Sequence, residues 1–267
     1  MFPLTPRLRF AAGILKRLLV YRHYDASTYW RRRAGEKGGA RVLWQNETYN
    51  DCFRIVQREW LQRLIPLSDR PIRLLDIGCG IGEVAAMVAG LGGNLQIDGV
   101  DFPEMVAVAR RENPHPGVSY IEGSAESYRP QENLYDLILS SACYSAIRDP
   151  AKLHRALQNG VEMLKPGGKL ILIDPFHAWR FLARTRKSSG EVTRFMRNRG
   201  LKRTLKSGVL FWPYREWLAN SDTEKGTLKA RFQTGEIWLG RLGKHLWADY
   251  KILVFELPDN GHPGNHS

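Results

Sequence analysis

Three glycines at alternate positions, Gly78, Gly80 and Gly82 in "LLDIGCGIGEVA" (Leu74 to Ala85), follow an apolar run and precede a segment that reads as helix. A glycine-rich turn between a strand and a helix lets a ligand approach the backbone closely and aims the amides of the helix N-terminus at it. Two ligands suit such a turn, the pyrophosphate of a dinucleotide and the amino-acid end of S-adenosylmethionine. The dinucleotide fingerprint asks for a third glycine three positions after the second, for close packing of helix on strand. Glu83 stands there, so the dinucleotide reading weakens.

The order of elements around this turn sets the fold class. Asn46 is placed to cap a helix through "TYNDCFRIVQREWLQRLI", with Phe53, Val56, Trp60 and Leu64 at helical spacing. "IRLLDIG", "LQIDGVDF", "VSYIEG", "YDLILSSACYS" and "KLILIDPF" read as five strands, with helices "GEVAAMVAGL", "EMVAVARREN" and "AKLHRALQNGVEML" between them. Asp149 caps the last of these helices, Pro150 opens it and "KPGG" ends it. This alternation implies an α/β protein with a mostly parallel, doubly wound sheet. After Phe176 the rhythm changes. No clear strand is expected from His177 to Gly208, where a basic helical insertion or lid is placed. "PYREWLA" reads as a helix opened by Pro213, "LKARFQT" as a strand and "YKILVFELP" as the closing strand. The expected organisation is a basic amphipathic helical segment over 1–45, a ligand-binding core over 46–176, the insertion over 177–212, completion of the sheet over 213–258 and a disordered tail over 259–267.

Charge is unevenly placed. The net +13 divides into +8 over 1–41, −4 over 42–175, +11 over 176–251 and −2 over 252–267. Basic flanks around an acidic centre suit an anionic substrate, nucleic acid or an acidic membrane surface. Lys16 and Arg17 cut the apolar run "FAAGIL" far short of the roughly 20 residues that span a bilayer. The segment "RLRFAAGILKRLLVYRHY" places Phe10, Ile14, Leu18 and Tyr21 at helical spacing beside five basic residues, as a helix lying on an anionic membrane would. Cys52, Cys79 and Cys143 stand singly, which argues against a disulfide framework or a zinc site and for a reduced, cytoplasmic setting.

Asp101 ends the second strand, 19 residues after Gly82, where a carboxylate accepts both ribose hydroxyls of a nucleoside. In sequence order, "LLDIGCGIG", "GVDFPEMVAVAR", "GSAESY", "YDLILSSACYSAIRDP" and "LKPGGKLILIDP" resemble the class I S-adenosylmethionine-dependent methyltransferases of the small-molecule type over about Ile72 to Phe176. The resemblance implies a Rossmann-like, seven-stranded, mostly parallel sheet with helices on both faces, N-terminal helices and a helical insertion after strand five. It implies S-adenosylmethionine as cofactor, with Asp76, Gly78, Cys79 and Gly80 at its methionine end and Gly82 letting the helix pack closely. Asp101 would hold the ribose, with Phe102 beside the adenine and Ser124, Ala125 and Glu126 at the adenine edge. The family often has Asp in place of Ser124, which makes Glu126 a substitute acceptor. Ser140 and Ser141 would border the reacting methyl group.

Methyl transfer needs an aligned acceptor and, for a hydroxyl, a base. His177 and Tyr144, just after the fifth and fourth strands, are the candidates by position. Tyr24, Tyr29 and Trp30 are aromatics that in related enzymes close over the cofactor. The Asn/Asp-Pro-Pro-aromatic run of enzymes acting on base amines is replaced by "SSACYS", and the Pro-Cys dipeptide of cytosine-C5 enzymes is absent, so nucleic acid loses ground as substrate. The closing stretch "WLGRLGKHLWADYKILVFEL" is similar to that of enzymes acting on quinones, lipids and glycans. The expected acceptor is therefore small or lipid- or glycan-linked and anionic, met by Arg184, Arg186, Lys187, Arg194, Arg197 and Arg199, with the chain peripheral on the inner face of the membrane. An RNA methyltransferase, and a non-catalytic scaffold regulating a membrane-associated surface-polysaccharide partner, remain the alternatives.

Overall fold

A computed structural model describes residues 26–36, 38–130, 134–179 and 187–259. The expected amphipathic helix over 7–24, Tyr24, Arg184, Arg186 and the tail beyond residue 259 lie outside the described residues. In chain order the elements are α1 (Ala26–Arg33), α2 (Glu47–Leu64), β1 (Ile72–Ile77), α3 (Glu83–Ala89), β2 (Leu95–Asp101), α4 (Pro103–Glu112), β3 (Val118–Glu122), β4 (Tyr135–Ser141), α5 (Pro150–Glu162) and β5 (Leu164–Asp174). There follow α6 (Ser189–Asn198), β6 (Lys202–Phe211), α7 (Trp212–Leu218), α8 (Lys225–Arg241), α9 (Lys244–Trp247) and β7 (Ala248–Glu256).

The seven strands form one sheet in the order β3-β2-β1-β4-β5-β7-β6, the first five parallel and β7 antiparallel to both its neighbours. The order reverses direction between β1 and β4. In open α/β sheets that switch point opens a crevice at the carboxyl ends of the strands.

The central strands are buried on both faces, as their unbroken apolar runs require. Leu74, Leu137 and Ile171 pack under α2, α3 and α8, while Leu75, Ile138 and Leu170 pack under α5 and α6. The two helix starts read from the sequence form by side-chain capping. Asn46 accepts from the Tyr49 amide at 3.0 Å, and Asp149 accepts from Ala151 and Lys152 at 2.8 Å each.

The last third departs from the sequence reading in two elements. "LKARFQT" is helix, inside α8, because Leu228, Phe232, Gly235 and Leu239 recur at spacings of four and three and bury one stripe. β6 runs through "LKRTLK", where no strand was expected. It is an edge strand whose outer half exposes Lys202, Arg203, Thr204 and Lys206, so it lacks the apolar run of its inner neighbours. Two boundaries also move. β4 stops at Ser141, where Ala142 takes a positive φ of 64° and a 3-10 turn over Tyr144–Ala146 follows. β5 begins at Leu164, before "KPGG", because Tyr135 pairs with Leu164 and a register shift then brings Leu137 opposite Lys169.

Candidate functional site

The turn after β1 is held in the left-handed region, with φ of 73° at Gly78, 57° at Gly80 and 84° at Gly82. Two of these glycines also permit close packing. A Cβ on Gly78 would lie 2.3 Å from the Cys143 Cβ, and one on Gly82 would lie 2.5 Å from the Tyr120 hydroxyl oxygen. Gly82 thus fixes α3 against β3 from beneath, away from the cavity wall.

Asp101, at the end of β2, ties the turn to the next helix. Its Oδ2 accepts from the Gly80 amide and its Oδ1 from the Phe102 amide, both at 2.7 Å. Burial raises its pKa to about 6 against those two amides, which pull it down. Asp76, at the end of β1, is fully buried, and neither carboxyl oxygen has a hydrogen-bond partner among the described residues. Burial first and the Asp101 charge second raise its pKa to about 7, opposed by Arg54. A buried carboxylate with empty acceptor positions is costly unless something arrives to fill them.

These groups surround a cavity of about 210 Å³ at the switch point. Gly78, Cys79 and Gly80 form its floor. Phe102 and Met105 stand on one side, Ser124, Ala125 and Glu126 on another, and Ser141 to Cys143 with 146–149 on a third. Trp30, Val42 and Leu43, from the N-terminal part of the chain, line it as well. The third wall is fixed from below: Asp174, buried at the end of β5, accepts from Ser140 Oγ at 2.6 Å and from the Ser145 amide and hydroxyl at 3.0 and 2.8 Å.

Most residues singled out from the sequence meet here: Asp76, Gly78, Cys79, Gly80, Asp101, Phe102, Ser124, Ala125, Glu126 and Ser141 line the cavity, as does Trp30. Ser140 is turned away toward Asp174. Tyr29 instead accepts from Arg33 Nη1 at 2.9 Å.

The two candidate bases are corrected. Neither lines the cavity. His177 is 2% exposed, its ring 5.3 Å from that of Trp179 and 5.1 Å from that of Trp212, with Nδ1 accepting from the Trp179 amide. Burial, then the Lys251 charge, lowers its pKa to about 4. The chain turns inward after β5 because these aromatics draw the ring into the core. Tyr144 is fully buried under α5, its hydroxyl occupying the space that a side chain at Gly160 would need. Arg194 and Arg197 are exposed on α6, Arg199 donates to Gln158 at 3.1 Å, and none of the three nor Lys187 lines the cavity.

Sequence reasoning missed Arg54, Glu83, Cys143, Arg148, Lys152 and Tyr250, all on the cavity wall. Arg54 projects from α2, donating to Glu83 and, at 2.6 Å, to Gln57, with its Nε buried and without a hydrogen-bond partner. Gln57 in turn donates to Ser141 at 2.7 Å. Nothing in "TYNDCFRIVQREW" marks Arg54, since only the docking of α2 beside the glycine turn gives it a role.

The residues present fit S-adenosylmethionine. Its methionine end carries an ammonium and a carboxylate, and the unfilled carboxylate of Asp76 and the guanidinium of Arg54 offer the opposite charge to each. Asp101, above the amide-rich turn, is where the ribose hydroxyls of that cofactor would be received.

A methyltransferase-domain family profile matches residues 74–168. The malonyl-[acyl-carrier protein] O-methyltransferase of Halalkalibacterium halodurans is 31% identical over 134 residues, covering 45% of this chain and 48% of that one. The ubiquinone biosynthesis O-methyltransferase of Xanthomonas euvesicatoria is 28% identical over 167 residues, 54% of this chain and 68% of that one. The chain spans about half the length of most of the curated relatives it matches. Among solved structures, the N-methyltransferase NodS from Bradyrhizobium japonicum, in complex with S-adenosyl-L-homocysteine, superposes with a TM-score of 0.58 at 16% identity, over 88% of this chain and all of that one, a likeness of fold. The glycine turn, the carboxylates of Asp76 and Asp101 and the strand order agree with that sequence match, which identifies residues 74–168 as a methyltransferase domain of the S-adenosylmethionine-dependent kind.

Proposed function

We propose that the chain transfers a methyl group from S-adenosylmethionine to an oxygen or nitrogen of a small acceptor, anionic or linked to a lipid or glycan. The observation that carries this reading is that the unpartnered carboxylate of Asp76 and the guanidinium of Arg54 line one cavity together with the glycine turn. When bound, the cofactor supplies an activated methyl on a sulfonium whose positive charge is lost in the transition state. The protein's own part is alignment and exclusion of water. Asp76 and Arg54 orient the amino-acid end, Asp101 fixes the nucleoside end, and Ser141 and Cys143 form the wall between them. Trp30, Val42 and Leu43 keep water from the reacting centre. Arg148 and Lys152 on the cavity wall favour an anionic acceptor, which would meet cations there before reaching the methyl group. The curated relatives named above act, by their names, on a malonyl-acyl carrier protein and on a ubiquinone precursor, and support the small-molecule class.

Calorimetric titration of S-adenosylmethionine and S-adenosylhomocysteine tests the reading. Micromolar binding is expected, and Asp101→Ala should weaken it roughly 100-fold, since the ribose acceptor and the brace of the Gly80 and Phe102 amides go together. No heat of binding with the intact chain would overturn it.

A further inference from the structure

The surface farthest from expectation lies at the C-terminal end of α8 and in α9. α8 buries Leu228, Phe232 and Leu239 on one stripe, yet the C-terminal end of its exposed side carries large apolar residues. Ile237, Trp238 and Leu242 there, and Leu246 on α9, are 56%, 44%, 46% and 43% exposed. Four large apolar side chains within ten residues are a patch, and an amphipathic surface of this kind carries meaning where isolated exposed leucines do not.

Its rim is cationic. From Lys225 to Trp247 the charged residues are Lys225, Lys229, Arg231, Arg241 and Lys244 against one acid, Glu236. Glu236 turns inward, accepting from the Phe211 amide at 3.1 Å, so no carboxylate faces out. The Arg241 guanidinium sits 5.8 Å from the Trp238 ring centre. Beneath α9, the edge strand β6 adds Arg203 and Lys206, both exposed and close enough to His245 for their charges to act on it. Aromatic and aliphatic side chains ringed by Lys and Arg complement an anionic lipid interface, where the rings sit among headgroups and the cations meet phosphate.

Topology aligns this patch with the cavity. β7 is antiparallel, so its first residue, Ala248, lies at the carboxyl edge of the parallel strands, and Tyr250, two residues on, lines the cavity. α9 ends at Trp247, immediately before that edge. The patch and the cavity thus share one edge of the sheet.

We propose that the face made by the C-terminal half of α8 and by α9 docks on an anionic phospholipid surface, with Trp238, Leu242 and Leu246 in the interface and Arg241 and Lys244 against the headgroups. Docking needs no methyl transfer; its use, to bring the cavity toward a lipid-borne acceptor, rests on the function proposed above. No described helix is long and apolar enough to cross a membrane, so the contact is peripheral.

The test is sedimentation of the full chain with vesicles of phosphatidylcholine alone and of phosphatidylcholine mixed equally with phosphatidylglycerol. Alongside it run the triple variant Trp238→Gln, Leu242→Gln, Leu246→Gln and the pair Arg241→Glu, Lys244→Glu, each titrated with S-adenosylhomocysteine as a check on folding. The intact chain should partition onto the mixed vesicles at least about ten-fold more strongly than onto the neutral ones. Each variant should lose about ten-fold or more of that partitioning with ligand affinity unchanged. A triple variant that still sediments fully would overturn the proposal, by assigning lipid contact to basic segments elsewhere. So would a dimer, seen by analytical ultracentrifugation and dissolved by the triple variant, in a chain that ignores vesicles: the occupant would then be a second copy. Vesicle binding without ligand binding would sink the methyltransferase reading and leave the docking surface standing.

Discussion

At the ends of β1 and β2 two buried carboxylates face a cavity, whereas on α7 and β7 the buried charges face other protein. Asp76 and Asp101 sit at the ends of β1 and β2 with acceptor positions open or braced only by backbone amides. Arg215 and Asp249, on α7 and β7, are each 3% exposed and consume one another: Nε lies 2.7 Å from Oδ2, and Nη2 donates to Oδ1 at 2.8 Å. His177 belongs with the second group, since its neighbours are Trp179, Trp212, Asp249 and Lys251. Burial alone therefore does not mark a functional group; a buried charge whose partner is missing does.

That contrast can be broken at three points. The largest effect is expected from Gly78→Val, which demands a β-branched residue at a φ of 73° and places its Cβ against Cys143. Both faults act at once, so stability should fall by about 3 kcal/mol or more and cofactor binding should vanish. Thermal unfolding and calorimetry read the two losses. A folded Gly78→Val chain that still binds would mean that the turn is not the floor of the site.

Arg215→Ala leaves Asp249 buried without its cation. Unfolding by urea should show a loss of about 3–5 kcal/mol, while the folded fraction binds S-adenosylhomocysteine within about two-fold of the parent. A large change in ligand affinity at unchanged stability would instead move this pair into the site and erase the distinction between the two regions.

The smallest effect is a pH dependence. Asp76 and Asp101 titrate near 7 and 6 because burial penalises their charged forms. An ammonium beside Asp76 favours the ionised carboxylate, so below pH 7 binding must expel a proton. Affinity for S-adenosylhomocysteine should thus be full above pH 7 and fall by up to about ten-fold per unit as pH drops below it. Asp76→Asn should bind more weakly and with a flatter profile between pH 5 and 7; an unchanged profile would remove Asp76 from the ligand's ammonium.

How much of this was legible differs in the same way along the chain. The glycine turn and the helix caps at Asn46 and Asp149 were readable because each depends on a few neighbouring residues: a left-handed φ, or a side-chain oxygen one turn from an amide. "LKARFQT" was misread because seven residues suit either period, and the stripe that makes it helix extends to Gly235 and Leu239. β6 was missed because an edge strand buries only part of its length. His177 and Tyr144 were chosen by their place after a strand, and proximity in sequence to a strand end does not say which way the chain turns next.

By itself the sequence determined the α/β order, the glycine turn after β1 and the helix caps at Asn46 and Asp149, since these rest on local conformational limits of glycine and on hydrogen bonds within one helical turn. Only the tertiary structure decided that Arg54 lines the same cavity as Asp76, that Asp174 clamps the loop after β4, and that Trp238, Leu242 and Leu246 stay outside on the edge of the sheet that carries the cavity. Those arrangements join residues 22 to 34 positions apart or leave a helix face uncovered, and they follow from the packing of helices on the sheet, which no local pattern encodes.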